Sequence, residues 1–185
     1  MKIIRSVEAF DGAASVAALG MFDGVHICHQ KLIRTAVTLA EQIGAESVVC
    51  TFDRHPLAVL RPESAPLPLL SQEENLAKFA RLGAGYALIE TFTPELGATP
   101  PEDYLRALVK GLRARVIAAG ENHTFGRGGR GDARLIREMA DELGYRAVIV
   151  PPVTDGDVVC SSTHIRRLLA AGETEHAARL MEIVP

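Results

Sequence analysis

The sequence predicts a doubly wound α/β domain built on a five-stranded parallel sheet. Short apolar runs recur at 16–22, 47–52, 86–90, 114–119 and 146–150. Between them, residues 29–43, 72–82, 102–112 and 132–143 carry apolar side chains at spacings of three and four, the pattern of helices with one buried stripe. Near-continuous apolar strands alternating with such helices indicate a parallel sheet covered on both faces.

Each element has its own local reason. The run VAALGMF leads into a stretch whose apolar stripe is Leu32, Ile33, Ala36, Leu39 and Ala40. Gly44, Gly83, Gly111 and Gly144 each follow a helical stretch, as helix-terminating glycines do. In VVCSSTHIRRLLAAG, Ser161 or Ser162 suits an N-cap, with Ile165, Leu168 and Leu169 as the stripe behind it. Residues 53–71 are long and proline-rich, with His55-Pro56 and prolines at 62, 66 and 68, which predicts a rigid, extended flap. A loop of that length in a compact domain points to function.

Composition narrows the classes. A chain of 185 residues, 48% hydrophobic and 23% charged, suits one soluble globular domain with a sizeable core. A formal charge of −3 gives no basic face for nucleic acid, so an anionic ligand must be held by local groups. Cys28, Cys50 and Cys160 are far apart and form no CxxC pair, which suits a reducing cytoplasm. The N-terminus lacks a signal-peptide core, and no apolar run approaches membrane-spanning length. A cytoplasmic protein is expected, with no membrane partner; nothing in the chain fixes its oligomeric state.

Ligands of such sheets bind at the carboxyl ends of the strands. There lie the loops 22–29, 52–71, 91–101, 120–131 and 151–162. In GMFDGVHICHQ, His26 and His29 read in three ways: metal ligands, structural residues, or phosphate contacts. No third ligand is evident from the spacing of the cysteines, which disfavours a metal. A helix beginning near residue 29 would aim free N–H groups at the loop, where two imidazoles can donate to a phosphate. Gly20 and Gly24 would let a ligand approach the backbone. Arg166, one turn into the last-motif helix, would add a guanidinium to the hydroxyls of that end. The loop GENHTFGRGGRG resembles a phosphate cradle but lacks the Lys-Ser/Thr ending of a P-loop.

These residues carry a family resemblance. FDGVHICHQKLI resembles the FDGVHxGHxxLI signature of bacterial FAD synthetases, the FMN adenylyltransferase half of bifunctional riboflavin kinase/FMN adenylyltransferases. TFDRHPLAVL is similar to the family's TFxPHP segment, AAGENHTFGRGGRGD to its glycine-rich loop, and CSSTHIRRLLAAG to its SSTxIR ending. The match runs in order over residues 1–182.

The resemblance implies a Rossmann-like nucleotidyltransferase domain over 1–185 that makes FAD and pyrophosphate from ATP and FMN, with Mg²⁺ carried by ATP and no confident protein ligand for it. By the same resemblance, His26, His29 and Arg166 would be catalytic. Gly20, Phe22, Asp23, Gly24, Asn122, Ser161, Ser162 and Thr163 would serve ATP, with Asn122 near the nucleotide or metal. His55, Pro56, His123 and Phe125 would serve the flavin. Three positions depart from the pattern: Cys28 stands for glycine, Arg54 for proline and His123 for an aromatic. The riboflavin kinase domain of bifunctional members is not expected in this chain. The alternatives are a related transferase with another phosphorylated acceptor, or a non-catalytic flavin- or nucleotide-binding regulator.

Overall fold

The computed structural model describes residues 1–183. Its central sheet has six parallel strands: β1 (Lys2–Ile4), β2 (Ser15–Leu19), β3 (Glu46–Phe52), β4 (Tyr86–Glu90), β5 (Ala114–Gly120) and β6 (Arg146–Val150). They lie in the order β1-β4-β3-β2-β5-β6. Strand order therefore reverses at β2, where β3 and β5 flank it, and such a switch point opens a crevice at the strands' carboxyl ends. A short antiparallel pair follows, β7 (Thr154–Asp155) with β8 (Val158–Val159).

The helices are α1 (Ile27–Ile43), α2 (Leu57–Leu60), α3 (Gln72–Arg81), α4 (Pro94–Gly97), α5 (Pro101–Gly111), α6 (Ala133–Glu138), α7 (Ala140–Leu143), α8 (Ser162–Ala170) and α9 (Thr174–Met181). β2 is buried at all five positions because helices cover both sheet faces. On one face Leu105, Leu108 and Ile136 meet Ala17, Leu19 and Ile117. On the other, Ile33, Ala36 and Phe79 meet Val16, Ala18 and Ile89. A third cluster joins Ile165, Leu168, Ala177 and Leu180 to Ile27 and Leu69, so α8 and α9 brace the start of α1 and the flap.

Five expectations change. The sheet gains β1, whose three residues pair with Tyr86, Ala87 and Leu88 and bury only Ile4. The expected strand 16–22 ends at Leu19, because Phe22 adopts φ 51° and turns the chain out of the sheet. The helix over 132–143 divides at Met139. There the Tyr145 hydroxyl donates to the Ile136 carbonyl, the acceptor that an unbroken helix would offer to the Ala140 N–H. Gly111 is the last residue of α5 and not a left-handed cap; a Cβ there would collide with Val7. Leu169 is exposed, so the stripe of α8 is Ile165 and Leu168. Ser161 is its N-cap, accepting the His164 N–H at 3.1 Å.

The two C-terminal helices are also tied by charge. Asp155 pairs with His164 Nε2 at 2.8 Å and His176 Nε2 at 2.9 Å. The hydrogen bond to Asp155 holds His176 above the ordinary imidazole value, and His164 and then His176 hold Asp155 below the carboxylate range. A raised His contributes stability that is complete below its unfolded pKa, about 6.5, and is lost as pH rises through the folded value. Asp155 contributes above its unfolded pKa of about 3.9 and loses that contribution only at lower pH. Melting temperature is therefore expected to decline as pH rises through neutrality, and Asp155→Asn to flatten that slope; an unchanged slope in the variant would contradict the assignment.

Candidate active site

The loop between β2 and α1 is held in a strained form. Phe22, Gly24 and Val25 all have positive φ, at 51°, 82° and 43°, and only the glycine adopts such values freely. Several groups over-determine it. Thr51 donates to the Met21 carbonyl at 3.0 Å, the Gly24 N–H reaches Asn75 Oδ1 at 3.1 Å, and the buried Gln30 amide donates to the Val25 carbonyl at 2.9 Å. The chain thus arrives at His26, the N-cap of α1, already oriented.

The His26 and His29 rings stack with centroids 3.7 Å apart. Phe22 supports His29 edge-on at 5.2 Å and is itself wholly buried, so its role is to hold the ring and not to touch a nucleotide. Burial first, then the neighbouring His26 and His123, hold His29 well below the usual imidazole pKa. It is therefore a neutral N–H donor at physiological pH. The Nδ1 atoms of both His26 and His29 are buried without a partner among the described residues. The first N–H groups of α1, which no helix satisfies internally, face the same region.

Both histidines line a crevice of about 280 Å³ at the β2/β5 switch point. Ser161, Ser162, Asn122 and His123 line it as well. His123 thus lies with the histidine pair, while its ring also stacks on Phe125 with centroids 5.8 Å apart, and burial pushes it down to about 4. Thr163 is exposed and is not part of the crevice wall. Gly20 lines the crevice, but its bare α-carbon faces the Phe22 ring; a Cβ there would lie 3.0 Å from it. At Gly24 a Cβ would meet Leu69 at 2.9 Å and Met181 at 3.1 Å, so this glycine admits the flap and α9 and not a ligand.

Asp23 and Arg166 form a latch. Arg166 pairs with Asp23 Oδ2 and donates from Nε to the Leu67 carbonyl at 2.9 Å. Asp23 Oδ1 accepts the Leu69 N–H at 2.9 Å, and Ser162 Oγ donates to the Asp23 carbonyl at 3.0 Å. The flap is therefore pinned across the end of α8, not merely extended. Arg166 keeps further N–H groups beyond these two bonds.

A second cavity, of about 460 Å³, lies on the other side of Met21. Phe52, Phe92, Tyr104 and Phe125 give it aromatic walls, and His55 and Pro56 close one side. Desolvation first, then the charge of Arg166, lower the His55 pKa, and its Nδ1 accepts the Leu57 N–H at 3.1 Å. Phe52 and Phe92 sit at or just past the ends of β3 and β4, where the strand-end rule could have found them; Tyr104 comes from α5 and had no such signal. Met21 borders both cavities and also the space under the flap. Arg54 pairs with Asp53 at 3.0 Å and borders the space under the flap, but it lines neither of these two cavities.

Two glycines of the glycine-rich loop are required by packing. Gly126 has φ 69°, and a Cβ would lie 2.6 Å from the Pro101 backbone; at Gly131 it would meet Pro101 and the Phe125 ring. Gly126→Ala is expected to cost about 1–3 kcal/mol from overpacking and left-handed strain, or roughly 2–12 °C in melting temperature at 2–4 °C per kcal/mol. No shift would contradict this packing.

Switch-point crevice, helix-start histidines and capped serines define the chain as a Rossmann-like nucleotidyltransferase domain. The FAD synthetase family matches residues 10–164, and the chain belongs to that family. It is 34% identical over 172 residues to the bifunctional riboflavin kinase/FMN adenylyltransferase of Bacillus subtilis (strain 168), covering 91% of this chain and 54% of that protein. The corresponding Escherichia coli (strain K12) protein is 30% identical over 174 residues, covering 92% and 56%. A putative bifunctional enzyme of Geobacillus thermodenitrificans (strain NG80-2) is 33% identical over 181 residues, covering 98% and 97%. The chain thus spans about half the length of the first two relatives. A crystal structure described as a macrolide-efflux protein from Streptococcus pneumoniae superposes with a TM-score of 0.85 at 29% identity, covering 97% of this chain and 59% of that one. No helix among the described residues is long and apolar enough to cross a membrane.

Proposed function

We propose that this chain is an FMN adenylyltransferase that joins FMN to the AMP moiety of ATP, giving FAD and pyrophosphate, in the cytoplasm. The observation that carries this is the pair of cavities meeting at Met21, one polar with helix N-termini, the other aromatic. ATP phosphates suit the first and an isoalloxazine ring the second. A phosphate oxygen of FMN attacks the α-phosphorus in line, and pyrophosphate leaves. The protein's work is to position the two substrates and stabilise charge.

His26 and His29 donate hydrogen bonds to phosphate oxygens as charge grows on them. Ser161, whose oxygen accepts the cap N–H, keeps its own proton to donate, and Ser162 lies beside it. Arg166 extends its spare N–H groups to the β- and γ-phosphates, and Asn122 lies by the nucleotide. His55, Pro56 and Phe125 border the flavin. The donor set does not make a Mg²⁺ cage: the grouped metal-ligating side chains among the described residues are His26, Cys28 and Cys160, with no carboxylates. Mg²⁺ fits as an ion carried by the ATP phosphates, where it would neutralise developing charge.

Incubation with ATP, Mg²⁺ and FMN, resolved by chromatography, is expected to yield FAD. Adenylyl transfer to another phosphorylated acceptor in place of FMN would overturn the acceptor assignment. Binding of both substrates without turnover would make the chain a regulator.

A further inference from the structure

The structure brings together two cysteines and a histidine that the sequence keeps far apart. Cys28 lies in the first turn of α1, Cys160 two residues before α8, and His26 caps α1. One ligand atom from each, a ring nitrogen and two sulfurs, all fall within 4.8 Å of one another. We propose that His26, Cys28 and Cys160 form a binding site for a thiophilic metal ion of the Zn²⁺ class, and that its occupation blocks the polar crevice.

The geometry is close to that of a metal site before closure. At Zn–S of about 2.3 Å and Zn–N of about 2.0–2.1 Å, ligand atoms around a tetrahedral ion stand roughly 3.4–3.8 Å apart, so about 1 Å of movement closes this one. The three groups are anchored. Cys28 Sγ accepts the Val153 N–H at 3.1 Å and lies 3.2 Å from the Cys160 carbonyl. The Cys160 N–H donates to the Val153 carbonyl at 2.9 Å, and both Cys160 and His26 are buried, at 2% and 3% exposed. His26 Nδ1 has no partner among the described residues. All three residues also line the crevice, so a fourth coordination position opens toward it, for water. Two sulfurs and an imidazole select a soft or borderline ion and reject Mg²⁺.

Binding requires both thiols to release their protons to solvent, with no change of oxidation state. The bound ion would occupy His26, which the proposed transfer reaction needs, so metal and ATP should exclude one another. Cys28 stands where the family motif has glycine, which makes this site a property of this chain. The inference rests on the His-Cys-Cys cluster, and its primary readout involves neither FMN nor turnover.

Co²⁺ is the probe, because thiolate coordination gives it a ligand-to-metal charge-transfer absorption that oxygen and nitrogen ligands alone do not. The reduced protein is expected to bind one Co²⁺ with that absorption, to lose it when Zn²⁺ displaces the cobalt, and to lose part of it as ATP is added. Mutating an outer-shell partner alone costs 10–100-fold in metal affinity, so Cys28→Ser and Cys160→Ser should each weaken Zn²⁺ by more than about 100-fold. Circular dichroism establishes that each variant is folded, and Cys28→Gly supplies a second test at the same position. No charge-transfer band in the wild-type protein, or a band unchanged in both folded serine variants, would overturn the proposal.

Discussion

His29→Ala is expected to lower turnover by about 10²–10³-fold, the usual consequence of removing one donor aimed at developing charge. Affinity for FMN should stay within about twofold, because the loss is confined to the transition state. The geometry gives the reason for this split. His29 stands in the polar crevice with a buried, unpartnered Nδ1, while the aromatic cavity begins beyond Met21. Burial keeps its imidazole neutral, so what disappears is a hydrogen-bond donor, not a charge. His29 also rests on Phe22, so the variant must be shown to retain its thermal transition. Steady-state rates with saturating ATP, set beside flavin-fluorescence titrations, provide the comparison. An equal loss of turnover and FMN affinity would contradict the assigned role.

Arg166→Ala is expected to reduce kcat/KM for ATP by about 100-fold, equal to two charge-assisted hydrogen bonds at about 1.4 kcal/mol each. A second effect follows from the latch: without Arg166 the Leu67 carbonyl loses its donor and Asp23 its cation, so of the latch's bonds to the flap only that between Asp23 and the Leu69 N–H is left. FMN affinity should therefore fall too, though by less. Arg166→Lys retains the charge but not the planar fork that reaches Leu67 and Asp23 together, so it should recover only part of either loss. If Arg166→Ala weakened FMN and left ATP kinetics unchanged, Arg166 would be a flap latch and nothing more.

How far the sequence discloses this site depends on whether the signal is local. The histidine pair at a helix start and the Ser161 cap are local features with a fixed spacing, and both stand in the structure as expected. Five of six strands are legible because each carries at least three consecutive apolar residues, fully buried in β2 and half-buried in the edge strand β6. β1 was not: an edge strand of three residues that buries one side chain has too little periodicity to detect. The strained loop was hidden for the opposite reason. Phe22 and Val25 are bulky residues whose own preferences argue against positive φ, and tertiary contacts from Asn75, Thr51 and Gln30 overrule them.

The pairings across the chain were invisible. Arg166 and Asp23 are separated by 143 residues, and Cys28 and Cys160 by 132, so no spacing rule links either pair. The cysteines are dispersed in sequence, and only the convergence of the α1 and α8 amino ends brings Cys28 and Cys160 beside His26. The aromatic cavity was half legible: Phe125 lies in a recognisable motif, whereas Phe52, Phe92 and Tyr104 are gathered from three separate elements.

The central claim, that the polar crevice delivers an adenylyl group to a flavin phosphate held across Met21, is tested most directly with ATP labelled at its α-phosphorus. The label should appear in FAD, with one pyrophosphate released for each FAD formed, and none should transfer when riboflavin, which lacks the attacking phosphate, replaces FMN. Label that stayed in ATP, or that passed to another acceptor while FMN remained unmodified, would contradict it.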